Sequence, residues 1–264
     1  MINKNSQQGA TLIVVLVILV LIILVSTLAI RQGILSLNIA TNAQAQQLMN
    51  QSSDAALFHA EDVDQLTTRL AANGMFGYIR TSSNKGKELV FCYRGTNSNF
   101  FSLNNASILK WEDGKTSPTN NELGTAGYCS LNNSNDYTSG RSAVMTQVAV
   151  QFIESSSSTE NAFAGSVMGT DVETAKVISP ETAIITAVSL MPTLSKASNT
   201  QINACLSTHM TSPSSAIPTG ISAVTDTVTN TSFGTSVSEC LSTLGVPYST
   251  YVTVYNLTQS VVGS

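Results

Sequence analysis

Gln7-Gln8-Gly9-Ala10-Thr11-Leu12-Ile13-Val14-Val15-Leu16-Val17 begins an apolar run that reaches Ile30 without a charge or a proline. As a helix rising about 1.5 Å per residue, Ala10–Ile30 spans roughly 30 Å, the thickness of a bilayer's hydrocarbon core. The hydroxyls of Ser26 and Thr27 can bond back to the helix's own carbonyls. Before it stands a short polar leader, Met1–Gly9, carrying Lys4. A secretory signal peptide has a shorter apolar stretch and a small-x-small cleavage site, and Ser26-Thr27-Leu28-Ala29-Ile30-Arg31 is a poor match. A plain single-pass anchor is the second reading of the run.

The helical pattern continues past Arg31. Ile34, Leu37, Ala40, Ala43, Leu48, Ala55, Val63, Leu66 and Leu70 recur at a three-to-four-residue spacing, with glutamines and asparagines filling much of the rest. The spacing predicts one helix to about Ala72, ended by Asn73-Gly74: an apolar half, residues 10–30, and an amphipathic half, residues 31–74. The stripe is rich in Ala and Gln rather than in Leu heptads, so it predicts packing on the chain's own head rather than a free coiled coil.

The junction Gln8-Gly9-Ala10-Thr11-Leu12-Ile13-Val14-Val15 resembles the leader junction of type IV prepilins. Together with Ala29-Ile30-Arg31-Gln32 and Ala40-Thr41-Asn42-Ala43-Gln44-Ala45-Gln46-Gln47, it is similar to the PilX-type minor pilins of Gram-negative type IV pili. The close likeness covers roughly the first 60 residues; beyond them only Cys240-Leu241-Ser242-Thr243-Leu244-Gly245-Val246-Pro247 has a general one. The resemblance implies that a prepilin peptidase cuts between Gly9 and Ala10 and that the new Ala10 amine is methylated. A glycine at the cut has a physical reason, since a residue without Cβ resists unwinding least. The resemblance also implies an α+β, type IV pilin-like fold: a long N-terminal helix, transmembrane in its first half, packed on an antiparallel β-sheet head. The chain would be an inner-membrane single-pass protein with a periplasmic head, entering the pilus after processing. Its partners would be other minor pilins and the pilus assembly machinery.

Two departures from the pilin pattern carry information. Most pilins have a glutamate at the fifth mature position, thought to neutralise the amine of the subunit above; here it is Val14. An unpaired carboxylate in apolar surroundings costs several kcal/mol or becomes protonated. A subunit with nothing above it avoids that cost with an apolar residue, which predicts a tip or priming position. Inefficient incorporation is the alternative. In addition, Arg31 stands where major pilins carry a proline, and the first proline of the chain is Pro118.

From Met75 onward the chain is rich in Ser, Thr, Asn and Gly. Charged residues make up 11% of the whole sequence, against the usual quarter. Residues 75–264 suffice for one β-rich core, or for two lobes divided near the polar tract 154–161. Predicted strands are Glu88–Arg94, Ser107–Trp111, Ala143–Ile153, part of Val177–Leu190, and Tyr248–Leu257. Ser198-x-x-Gln201 and Ser236-x-x-Glu239 are capping boxes that predict two short helices, the second stopped by Gly245 and Pro247.

The four cysteines, Cys92, Cys129, Cys205 and Cys240, contain no Cys-x-x-Cys pair, and His59 and His209 are the only histidines. Zinc is therefore a poor fit, and an exported domain predicts disulfides. Three pairings are open; Cys92–Cys129 and Cys205–Cys240 are favoured because each closes a local loop, the second adding about 4 kcal/mol in the chain-entropy model.

Enzymatic signatures are missing from the sequence: no Gly-x-Ser-x-Gly, no phosphate-binding Gly-x-x-x-x-Gly-Lys-Ser/Thr, no His-Glu-x-x-His. The two histidines are read as structural or exposed, and Glu61, Asp62 and Asp64 as a solvated helix face. Asn132-Asn133-Ser134-Asn135-Asp136 lacks the spacing of a calcium loop and is read as a turn. A net charge of −4 with scattered lysines and arginines argues against direct nucleic-acid binding. No cofactor is expected. The expected function is pilus assembly supporting adhesion, twitching motility or DNA uptake; an adhesin-like binding module, or the tip pseudopilin of a type II secretion system, is the alternative.

Overall fold

The computed structural model describes residues 8–62, 66–71, 74–84, 86–95, 102–120, 122–138, 141–154, 181–213 and 217–257. It divides into two units, residues 1–47 and 48–264. The first is the opening of helix α1 (Gln8–Glu61), whose 54 residues correspond to about 80 Å of rise. Every described side chain from Thr11 to Gln44 is exposed, including the aliphatics from Leu12 to Leu28. Thr27 Oγ1 donates to the Leu24 carbonyl at 2.8 Å, so its hydroxyl is satisfied within the helix.

In the second unit α1 ends at Glu61, short of the expected Ala72. Asp62, just past this end, carries a negative charge where the backbone dipole already has its negative pole. Arg69, on the separate helix α2 (Leu66–Leu70), folds back and donates to the Ala60 carbonyl, capping that end. The apolar pattern read as continuous to Leu70 is therefore shared with α2, and a further short helix, α3 (Met75–Ile79), follows the expected stop. A Cβ on Gly77 would run into the Ala71 carbonyl, so glycine permits this tight succession. The Asn73 stop signal lies outside the described residues.

Five strands follow: β1 (Glu88–Cys92), β2 (Ala106–Leu109), β3 (Met145–Glu154), β4 (Glu181–Leu190) and β5 (Tyr248–Leu257). They form one antiparallel sheet in the order β2-β1-β3-β4-β5. β3 and β4 pair over their full length, from Met145 opposite Leu190 to Glu154 opposite Glu181, and residues 48–264 form one unit. Residues 155–161 of the polar tract, where a division into two lobes was expected, and 177–180 of the predicted strand lie outside the described residues.

Alternation sorts side chains to the two faces of the sheet. Leu89, Phe91, Val148, Val150, Phe152, Ala183 and Ile185 pack with Ala56, Leu57 and Ala60 of α1 and with Met75, Phe76 and Ile79 of α3. The opposite face is covered by α4 (Asn199–Thr208) and α5 (Val237–Thr243), which bury Ile202, Leu206, Val237 and Leu241 against Val188 and Leu190. Both helices start with a complete capping box, at Ser198 with Gln201 and at Ser236 with Glu239. The coarse architecture is thus α+β: a long N-terminal apolar helix and a five-stranded antiparallel sheet.

Candidate functional site

The predicted processing junction lies in the first turn of α1, where the backbones of Gln8, Gly9 and Ala10 are helical. Residues 1–7 of the leader lie outside the described residues. Val14 is exposed, as are the apolar side chains around it. α1 is long and apolar enough to cross a membrane.

The structure pairs Cys92 with Cys129 and Cys205 with Cys240. The first bond ties the end of β1 to the 129–131 loop; the second joins α4 to α5. All four sulfurs sit in one buried cluster with Met145, Val188 and Leu190, so the covalent links reinforce a single core.

α1 is seated on the sheet by hydroxyls that sequence reading did not single out. Ser52 Oγ hydrogen-bonds with Thr146 Oγ1 at 2.7 Å and Ser53 Oγ with Ser189 Oγ at 2.7 Å; Thr146 and Ser189 are themselves 2.6 Å apart. Ser249 Oγ donates to Asn50 Oδ1 at 3.0 Å, and the His59 ring lies 5.9 Å from that of Tyr93. Residues Asn50–His59 therefore cross the strands from β5 through β4 and β3 to the end of β1. The polar pair Ser52-Ser53 within an Ala-rich stripe was the available signal. Its partners, Thr146 and Ser189, lie far away in sequence.

Further polar groups are buried, among them Asp136, His209 and Glu88. Asp136 accepts from Arg94 Nε (2.8 Å), Asn133 Nδ2 (2.9 Å) and the Ser130 amide (2.9 Å). The asparagine-rich stretch thus folds around a satisfied ion pair. His209 is fully buried; its Nε2 and Thr231 Oγ1 are 3.0 Å apart, and Thr231 continues through Thr229 to Asp226. Burial lowers the His209 pKa, with Asp226 acting in the opposite direction. Glu88 on β1 is also buried, its two oxygens accepting the Thr211 amide at 3.0 and 2.9 Å. Burial raises its pKa to about 7, against the opposing pull of the bonds from Thr211 and Ser212. Among the described residues no group of three or more His, Cys, Asp or Glu side chains could hold a metal. Asp64, from the acidic cluster, lies outside them.

No family model, curated protein or solved structure matches this chain. Its functional reading rests on its own residues. His59 is exposed on α1 beside Phe58, whereas His209 is buried at the C-terminal end of α4. The His209 ring is held between two hydroxyls, Thr208 Oγ1 at 3.1 Å and Thr231 Oγ1 at 3.0 Å, as Asp136 and Glu88 are held by the partners named above.

Proposed function

We propose that the chain is a minor pilin, made as a membrane-anchored precursor, cut between Gly9 and Ala10, and incorporated at or near the tip of a type IV pilus as a priming subunit. The observation that carries this reading is the Gln8-Gly9-Ala10 junction opening an uninterrupted helix whose first turns are uncharged and whose last turns pack on a disulfide-linked antiparallel head. A glycine-marked cut directly before a span that stays in the product suits a protein that must leave the bilayer with its apolar helix intact. The exposed aliphatic surface of α1 then exchanges lipid for the helices of neighbouring subunits, so little apolar area meets water.

Val14 supports the tip position: with no amine above it to neutralise, a carboxylate there would be a desolvated charge. The two disulfides suit a head folded in an oxidising compartment. Deleting the gene and counting surface fibres by electron microscopy tests the reading. Loss of fibres, restored by the intact gene, is the expected result. Intact fibres that fail to adhere would assign the chain to the binding-module class.

A further inference from the structure

Two steps of the sequence place an aspartate or asparagine directly before a glycine, Asn73-Gly74 and Asp113-Gly114. Glycine puts no Cβ in the way of a side chain that reaches for its backbone nitrogen. The structure engages one of these nitrogens and leaves the other open. The Gly74 amide donates to the Ala71 carbonyl at 2.7 Å. Asp113-Gly114 forms the middle of the turn Glu112–Lys115, closed by the Lys115 amide on the Glu112 carbonyl at 3.1 Å, with Gly114 at a φ of 77° as in a type II turn. Asp113, Gly114 and Lys115 are exposed. Among the described residues neither the Asp113 carboxylate nor the Gly114 amide has a hydrogen-bond or ion-pair partner. The other described aspartates differ. Asp54, Asp62, Asp136 and Asp226 each precede a residue with a Cβ, and the last two are buried with their oxygens bonded.

We propose that Asp113-Gly114 is a self-modification site, where the chain rearranges its own backbone to isoaspartate through a cyclic imide. The Gly114 nitrogen attacks Asp113 Cγ: the N–Cγ bond forms, the amide proton departs, and the neutral carboxyl gives up its hydroxyl, so that one water leaves. Water then adds to either imide carbonyl. Addition at Cγ restores aspartate. Addition at the main-chain carbonyl carbon of Asp113 breaks its bond to the Gly114 nitrogen. Gly114 is then joined through Cγ, and the former main-chain carbonyl is a free carboxylate. The water lost is regained, so the mass is unchanged and no oxidant or other co-reactant is needed.

Ring closure needs the Asp113–Gly114 peptide plane to turn. The exposed Lys115-to-Glu112 hydrogen bond opposes that rotation; the glycine, free to take either sign of φ, does not. The product has one more methylene in the main chain, inside a turn whose ends are held. Glu112 pairs with Lys110 at 2.8 Å, and the indole Nε1 of Trp111 donates to the Lys115 carbonyl at 2.8 Å. The lengthened turn shifts Lys115 against Trp111, which is buried and is the chain's one tryptophan. None of this chemistry depends on a role in a pilus.

The test incubates the full chain in detergent micelles at about pH 5 and about pH 8 and then cuts it with trypsin, which separates Trp111–Lys115 from Leu70–Arg80. Labelled methyl transfer from S-adenosylmethionine by an L-isoaspartyl methyltransferase detects the new carboxylate. The expected result is a second Trp111–Lys115 peptide of equal mass that accepts the label. It should accumulate faster at the lower pH, because the neutral carboxyl is the form that loses water, and a shift in Trp111 emission should accompany it. Asp113→Glu should remove this product, since closure would then need a six-membered ring. The side chain is exposed, and unchanged circular dichroism of the variant confirms the fold. A Trp111–Lys115 peptide that stays single and unlabelled would overturn the proposal, as would isomerisation that Asp113→Glu leaves unchanged. So would label confined to Leu70–Arg80, which would assign the site to Asn73-Gly74.

Discussion

At position 14 a valine occupies the one place in the apolar run where a charge would be most informative. Replacing it tests the tip reading without disturbing the head. Val14→Glu is expected to insert in the membrane as before, because one carboxylate that can protonate costs a long apolar helix only a few kcal/mol. Fibre number, counted against the parent, should fall. Normal fibre numbers would remove the argument that this position has no amine to meet.

Glu88 makes a different prediction. Its folded pKa, about 7, lies above the ordinary value of 4.5. The folded state therefore binds a proton more tightly than the unfolded one, and its contribution is fully present below about pH 4.5. That contribution is lost as pH rises through 7, at up to about 1.4 kcal/mol per pH unit. Urea unfolding of the wild-type protein should show stability falling between pH 5 and 8 relative to Glu88→Gln, which lacks the titrating group. Parallel profiles for the two proteins would exclude Glu88 as the source. Its burial was not legible in the sequence, because the Thr211 segment that bonds to it is distant in the chain.

Among the elements, those governed by local chemistry were legible. Ser198 and Ser236 each satisfy the first-turn amides of their own helix, so both short helices start where the capping boxes place them. The alternation in Ala143–Ile153 marks β3, and Tyr248–Leu257 matches β5 residue for residue. Local loop closure pointed to the disulfide pairs that the structure contains. The break after Glu61 was not legible, since the apolar spacing continues to Leu70 of α2 while α1 stops. The Ser52–Thr146 and Ser53–Ser189 contacts were not legible either, because each joins residues far apart in sequence.

Two stability measurements follow at this scale. Ser53→Ala should cost about 1 kcal/mol, because Ser189 keeps its bond to Thr146 and is not orphaned. Removing Cys205 and Cys240 together as alanines should cost about 4 kcal/mol, the chain-entropy value for a loop of this length. Denaturant unfolding monitored by Trp111 fluorescence reads both. A loss under about 1 kcal/mol for the double cysteine variant would show that packing, not the link, holds α4 to α5.

For the whole molecule, two kinds of stability are joined in one chain. Residues 48–264 bury hydrophobic clusters on both sheet faces and close them with disulfides. The side chains of residues 11–44 are all exposed and need lipid or other helices for cover. The proposed leader cut gives such a chain a route from one kind of cover to the other. The most direct test is the mass of the mature N-terminal peptide, taken from protein isolated from cells that contain the prepilin peptidase. We predict a chain that begins at Ala10 with a methylated amine, and Gly9→Val should abolish that product. A chain that still begins at Met1 in the assembled fraction, or that begins far beyond Ala10, would contradict the account.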